Sequence, residues 1–313
     1  MAESFLMGEE PALALGPDDT IHLVYSASYG GTHDVFHTRW VDGVWASPKN
    51  VSSTSGTSAQ PAVTVRSDGT PIVVWSDTTG GSSHIYYGWL NQEVWNTFVL
   101  PVSINGTAPD VCVGRDDRVW VGWQLIEFSG TTYEVCALYG SGSHWAPWPF
   151  NVSENGSADS LGPRLGGIAD RGAFMVWEED AGASAEIYYA ENLDVSEWWW
   201  SVPVNLSETT GFSRHPAIAT SSSGAVAVAW QEQDGGGNDD YDALIRWRRA
   251  PGSPWSTVES VATGHVQRVR LALDDKDGVH AFWVRDEEVI QYRTGSYLLP
   301  MHDTLHLPLI YNP

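Results

Sequence analysis

Apolar residues along this chain come in short consecutive runs, IVVW (72–75), FMVW (174–177) and VAVAW (226–230). Runs of four or five apolar residues without alternation fit strands packed on both faces. No segment holds a 3.6-residue period for more than two turns. The stretch PAVTVRSDGTPIVVWSD (61–77) reads as strand, turn, strand, with Asp68-Gly69 as the positive-φ residues of a tight hairpin. HIYYGW (84–89) opens a third strand, and the run from Trp95 through TFVLPVSI makes a fourth.

This unit repeats. A proline is followed fourteen residues later by an aromatic at Pro11/Tyr25, Pro61/Trp75, Pro109/Trp123, Pro163/Trp177 and Pro216/Trp230, and Val269/Trp283 is a sixth copy without the proline. Successive aromatics lie 50, 48, 54, 53 and 53 residues apart, so insertions fall in loops while the first half of each unit keeps its length. A second aromatic recurs at Trp45, Trp95, Trp145, Trp200 and Trp255, with Tyr297 in that phase of the last copy. Four-stranded units that bury both faces against neighbours close radially. The expected fold is therefore all-β, a six-bladed β-propeller of four-stranded antiparallel blades forming one domain over 1–313. Its blades span approximately 8–58, 59–107, 108–160, 161–213, 214–265 and 266–302. The tail 303–313 carries Leu305, Leu307 and Leu309 at strand period and is expected to complete or cover a blade where the ring closes. Cys112 and Cys136 fall on the first and third strands of one unit, ~10 Å apart at ~4.8 Å per strand, beyond disulfide reach.

Composition narrows the class. Hydrophobic residues make up 42% and charged residues 18%, with 17 Trp, which excludes a disordered, collagenous or coiled-coil chain. Sixteen Lys+Arg against 39 Asp+Glu leave a net charge of −23, and only Lys49 and Lys276 are lysines, so nucleic acid and anionic membrane surfaces are excluded as partners. No apolar run reaches the ~20 residues of a membrane helix. MAESFLMGEE lacks the basic n-region and long h-region of a signal peptide, so a secreted protein is expected to have lost its signal from this chain. Few lysines, abundant Asp, Gly, Ser, Thr and Trp, and a pI near 4.5 predict an extracellular or cell-surface bacterial protein. Two cysteines without CxxC or zinc spacing predict neither redox chemistry nor a structural zinc.

The succession NVSxxxGxS, PAVxxxxDGxxxVVWSD, xxIYY and a turn into Trp resembles the Asp-box (BNR-repeat) propellers of the sialidase-like superfamily, over all six copies. The Asp box is a Ser-x-Asp-x-Gly-x-Thr-Trp turn between third and fourth strands. That place holds WVDGVW (40–45), LNQEVW, GSGSHW, VSEWWW and APGSPW, so only Asp42-Gly43 keeps the Asp and Gly and the boxes are degenerate. The resemblance implies a six-bladed fold with an axial pocket, and by itself no hydrolysis. Sialidases of that family hold the substrate carboxylate with three arginines and use a Tyr nucleophile paired with Glu and an Asp acid/base. A guanidinium fork fits a carboxylate better than an ammonium does. The arginines near the starts of inner strands are Arg164, Arg268 and Arg270, with Arg214 in the preceding loop. The family's Arg-Ile-Pro is replaced by GEEPALAL, and no residue is assigned a catalytic role.

Loops entering the inner strands share one face with those joining second and third strands, where ligands of closed β architectures sit. Residues flanking the repeat proline differ in chemistry between copies, and Glu10, Gln60, Asp110, Arg164, His215, Arg268 and Arg270 form the candidate ligand-binding set. The competing reading is a solvated channel mouth with internally paired charges. Trp75, Trp123, Trp177, Trp230 and Trp283 hold a fixed phase and read as core, whereas one of Trp198, Trp199 and Trp200 should face solvent. His33 and His37 in HDVFH have zinc spacing on a helix, but on a strand they stand ~13 Å apart and cannot share a metal. The acidic run 234–242 offers oxygen ligands to Ca²⁺ without EF-hand spacing, and solvated charge is the favoured reading. Five Asn-x-Ser/Thr sequons, among them Asn50, Asn151 and Asn205, recur near the fourth strand and read as turn formers ahead of glycosylation sites. The leading expectation is a non-catalytic propeller binding an extracellular glycan or protein through its axial face. An exo-sialidase-like glycoside hydrolase and a purely architectural cell-surface or filament component are the alternatives.

Overall fold

The computed structural model describes residues 8–29, 31–126, 130–193, 199–209, 211–233, 240–285, 289–296 and 299–308. Those residues are β-strands and turns, with one 3₁₀ turn at Arg115–Asp117. The chain divides into two compact units, Met1–Glu154 and Asn155–Pro313.

In the first unit three antiparallel meanders follow in chain order. They are built on Gly8–Leu15, Ile21–Tyr29 and Thr32–Val41; on Ser58–Val65, Pro71–Asp77, His84–Asn91 and Val94–Val99; and on Thr107–Val113, Val119–Ile126 and Tyr133–Ser141. In the second unit Asp159–Ile168, Gly172–Asp180 and Ala185–Asn192 form one meander. A single parallel pairing, Ala185 with Phe212, joins it to the next, made of Phe212–Thr220, Val226–Gln233, Tyr241–Arg248 and Glu259–Ala262. Val266–Leu273, Val279–Arg285, Val289–Ser296 and Leu299–Pro308 form a further sheet. Residues 303–308, expected as a tail or closure strand, belong to the fourth strand of that sheet, with Leu305 opposite Tyr292 and Leu307 opposite Ile290.

The fourth strand departs from expectation elsewhere. In the second repeat it runs as Val94–Val99 and stops before the expected PVSI. In three other repeats it shrinks to two-residue pieces, Val44–Trp45 and Lys49–Asn50, His144–Trp145 and Phe150–Asn151, and Val204–Asn205. Pro48, Pro147 with Pro149, and Pro203 stand at these breaks, and proline has no N–H for the ladder. The Asp68-Gly69 turn also differs: Gly69 alone has positive φ, while Asp68 accepts the Thr70 N–H at 2.9 Å.

Every first strand carries the same irregularity at the repeat proline. The register with the second strand slips between Glu9 and Ala12, Ala59 and Ala62, Thr107 and Asp110, Leu161 and Arg164, Arg214 and Ala217, and Gln267 and Arg270. The first bulged residue is left-handed each time: Glu10, Gln60, Ala108, Gly162, His215 and Arg268 have φ between 49° and 57°. For an L-residue this costs about 1 kcal/mol or more. Because Ala108 shares it, the strain belongs to the repeat's architecture. What varies is the side chain that the bulge re-aims.

The repeat aromatics form the core between neighbouring sheets within each unit. Trp75, Trp123, Trp177 and Trp230 are wholly buried, and Tyr25 and Trp283 nearly so. The sequon serine pins the third strand: Ser52, Ser153 and Ser207 Oγ accept the N–H of Val35, Val135 and Ile187 at 3.0–3.1 Å. Each also donates to a carboxylate, of Asp34, Glu134 or Glu186. The sequon asparagines accept backbone N–H groups of the same turn, Asn50 from Ser53, Asn151 from Glu154 and Asn205 from Glu208. This is the turn-forming role expected of them. Cys112 and Cys136 are buried on strands separated by Val119–Ile126 and are not disulfide-bonded.

Candidate functional site

The second unit holds a cavity of about 680 Å³, lined by Leu161, Gly162 and Arg164 from one first strand, Arg214, His215 and Pro216 from the next, and Gln267, Arg268 and Arg270 from the third. Glu178, Gln231 and Tyr241 complete the described lining. The bulges set this arrangement, since each lining triplet from a first strand falls at the register slip.

Its polar groups are unevenly committed. Arg214 lies on the strand itself, where a loop was expected, and bridges Glu178 Oε1 and Asp180 Oδ2, each at 2.9 Å, beside the Phe212 ring. Glu178 Oε2 also accepts the His215 N–H at 3.3 Å. Burial pushes the Glu178 carboxyl above the usual range, against the pull of Arg214. Gln231 spans the next step: its Oε1 accepts the Arg268 N–H at 3.2 Å and its Nε2 donates to the Val266 carbonyl at 3.0 Å. Burial, with the guanidiniums of Arg214, Arg270 and Arg164, holds the His215 imidazole below the ordinary histidine range, so it is neutral at pH 7. Arg270 donates to the Val269 carbonyl. Among the described residues no carboxylate forms a salt bridge with Arg164 or Arg268.

Of the residues singled out in the sequence, Arg164, His215, Arg268 and Arg270 share this cavity. Glu10, Gln60 and Asp110 belong to the first unit, at the same phase of its repeats. Glu10 Oε2 accepts the Gln60 N–H at 2.6 Å, and Gln60 Oε1 accepts the Ala108 N–H at 2.9 Å, so each ties its bulge to the next. Asp110 Oδ1 accepts the Val111 N–H. Glu178 and Gln231 were missed, although both immediately follow the repeat Trp. The run Ser26, Ser76, Gln124, Glu178, Gln231 at that phase was a legible signal. The reason lies in the pairing: this position faces the bulge and satisfies its backbone.

Other expectations resolve locally. Trp199 is 75% exposed and Trp200 half-buried, while Trp198 and Tyr297 lie outside the described residues. His33 and His37 share the strand Thr32–Val41, and His37 Nε2 meets His22 Nδ1 at 3.0 Å. Of the acidic run, 234–239 lie outside the described residues. Asp240 and Asp242 accept the N–H groups of His265 and Gly264 at 2.5 and 2.8 Å. A Tyr–Glu pair does exist: Tyr189 donates to Glu191 at 2.8 Å. Both are bonded by Arg248, stacked between the Tyr189 and Trp255 rings, and Tyr189 is 2% exposed. Burial pushes that phenol further up, away from any nucleophilic role.

No known family profile matches the chain, and no curated protein matches it. Solved structures do. A Dyadobacter fermentans protein of unknown function is 12% identical with a TM-score of 0.64, covering 96% of this chain and 93% of its own. The BP39L lectin of Burkholderia pseudomallei is 13% identical with a TM-score of 0.62, covering 97% and 100%. The intramolecular trans-sialidase of Ruminococcus gnavus is 10% identical with a TM-score of 0.61, covering 93% and 94%. At these identities the likeness concerns the fold alone, a β-propeller.

Proposed function

We propose that this chain is a secreted, non-catalytic six-bladed propeller that binds an acidic extracellular glycan through the arginine cavity. One observation carries the reading: in a protein of net charge −23, Arg164 and Arg268 line a cavity whose one described carboxylate, Glu178, is already held by Arg214 and the His215 N–H. A guanidinium there has donors to spare for an anionic ligand group. The lectin among the neighbours supports a sugar as that ligand, and the R. gnavus enzyme, solved with oseltamivir carboxylate, supports an anionic group on it. Six copies of one meander-forming repeat support six blades. Low lysine content supports an extracellular setting.

Degenerate Asp boxes and GEEPALAL in place of the Arg-Ile-Pro support the non-catalytic reading. A glycoside hydrolase is the second reading, favoured by Glu178 as the cavity's one described carboxylate. A broad glycan array separates the two when read for bound protein and for loss of the printed sugar, beside Arg164→Ala. Retention that depends on Arg164, with no sugar lost, is the expected result. Loss of sugar promotes the hydrolase, and Glu178→Gln should then abolish turnover. Silence in both channels leaves an architectural role.

A further inference from the structure

Asn-Gly occurs twice in this chain, at Asn105-Gly106 and Asn155-Gly156. Both asparagines stand two residues after a serine that pins the third strand, Ser103 or Ser153, where other repeats place Thr54 and Thr209. In such a pair the glycine nitrogen is the nucleophile nearest the asparagine side-chain carbonyl, and no Cβ shields it. The two copies differ in what holds that glycine. Gly106 is buried, its N–H donates to the Ser103 carbonyl at 2.9 Å, and its own carbonyl accepts the Ser83 hydroxyl at 2.6 Å. Gly156 is exposed, bonds no group among the described residues, and has room for a Cβ that would meet nothing within 4 Å.

The Asn155 side chain is polarised for attack. Its Oδ1 accepts the Ser157 N–H at 3.1 Å and the Ser157 hydroxyl at 2.7 Å, so two donors already sit where an oxyanion would form. Its Nδ2 donates to Glu179 Oε1. Glu179 is buried, and its other oxygen accepts Ser160 Oγ at 2.9 Å and Trp177 Nε1 at 2.8 Å. In the equivalent place Thr54 donates its hydroxyl to Asp77 at 2.6 Å, so the repeat asks only for a neutral donor against this carboxylate.

We propose that Asn155 is a self-modifying residue, an amide that Gly156 converts to aspartate or isoaspartate beside the strand that carries Arg164. The Gly156 nitrogen gives its proton to solvent and bonds to Asn155 Cγ; the Cγ–Nδ2 bond breaks, and Nδ2 leaves as ammonia with a proton from water. Water then opens the cyclic imide at either carbonyl. The aspartate product exchanges the donor facing Glu179 for a carboxylate, and two carboxylates can share that contact only if one holds a proton. Ser160, held by Glu179, lies on Asp159–Ile168, so the change loosens one wall of the cavity.

The test incubates the full chain at pH 8 and follows both sites by peptide mapping that separates the Asn, Asp and isoAsp forms. Asn155 should convert roughly 10-fold or more faster than Asn105, whose glycine must first give up two hydrogen bonds. Gly156→Val shields the nitrogen in open space, so it should slow conversion at Asn155 and keep the parent's unfolding midpoint before incubation. No conversion at Asn155, equal rates at the two sites, or an unslowed Gly156→Val would overturn the proposal. Asn155→Asp stands for the product. Its unfolding midpoint should fall below the parent's at pH 7, and the gap should narrow at pH 5 as the carboxylate pair takes up a proton. Midpoints equal to the parent's at both pH values would overturn the loosening.

Discussion

Lowering the pH should weaken the first unit through His37. This side chain is 4% exposed, its Nε2 meets His22 Nδ1 at 3.0 Å, and the Trp95 ring stands edge-on at 5.1 Å. Two imidazoles can share one hydrogen bond only when one donates and the other accepts, so the pair needs at least one neutral partner. Burial is the main cause that brings His37 down to about 3, reinforced by His22, Arg39 and Lys49 and opposed by Glu93. In the unfolded chain it titrates near 6.5. Between those values the unfolded state binds the proton and the native state does not, so stability is fully present above about pH 6.5 and declines as the pH falls towards about 3. The slope approaches ~1.4 kcal/mol per pH unit, so from pH 7 to pH 5 His37 should remove about 2 kcal/mol. His22, also lowered by burial, acts in the same direction. Guanidinium unfolding followed by tryptophan fluorescence at pH 7 and pH 5 measures the loss. His37→Gln keeps a neutral hydrogen-bonding group facing His22 and removes the titration. The variant should lose about 2 kcal/mol less than the parent over that interval, carboxylate contributions cancelling in the comparison. An unchanged difference between the two pH values would refute the argument.

Three further expectations concern packing and the cavity wall. Trp177→Ala removes a wholly buried indole that donates to Glu179 at 2.8 Å and should cost about 3–5 kcal/mol in denaturant unfolding; a loss below about 1 kcal/mol would contradict its place in the core. Arg248→Ala leaves the Glu191 carboxylate without its buried partner, with a loss of about 3–5 kcal/mol, and adding Glu191→Gln should recover part of it in a double-mutant cycle. Gly162→Asn suits the left-handed backbone at φ 57° and intrudes on the cavity, so glycan retention should fall while the unfolding midpoint holds.

How much of this was legible in the chain follows from where each signal resides. The spacing of Pro61 and Trp75 and its five counterparts is local, so the hairpins, the buried tryptophans and the turn-forming role of Asn50, Asn151 and Asn205 could be read directly. So could the variety of side chains beside the repeat proline. Strand continuity was less legible, because Pro48, Pro147 and Pro203 act on a ladder whose partner is set by the fold. Tertiary structure alone decided the chemistry. A left-handed residue before each proline follows from the register between two strands, and no periodicity in the sequence encodes register. Whether an arginine is spent or available depends on carboxylates from other strands: Arg214 meets Glu178, thirty-six residues away, while Arg164 and Arg268 meet no described carboxylate. Composition and repeat length are properties of one strand at a time and determined the architecture; charge pairing is a property of neighbouring strands and determined the site.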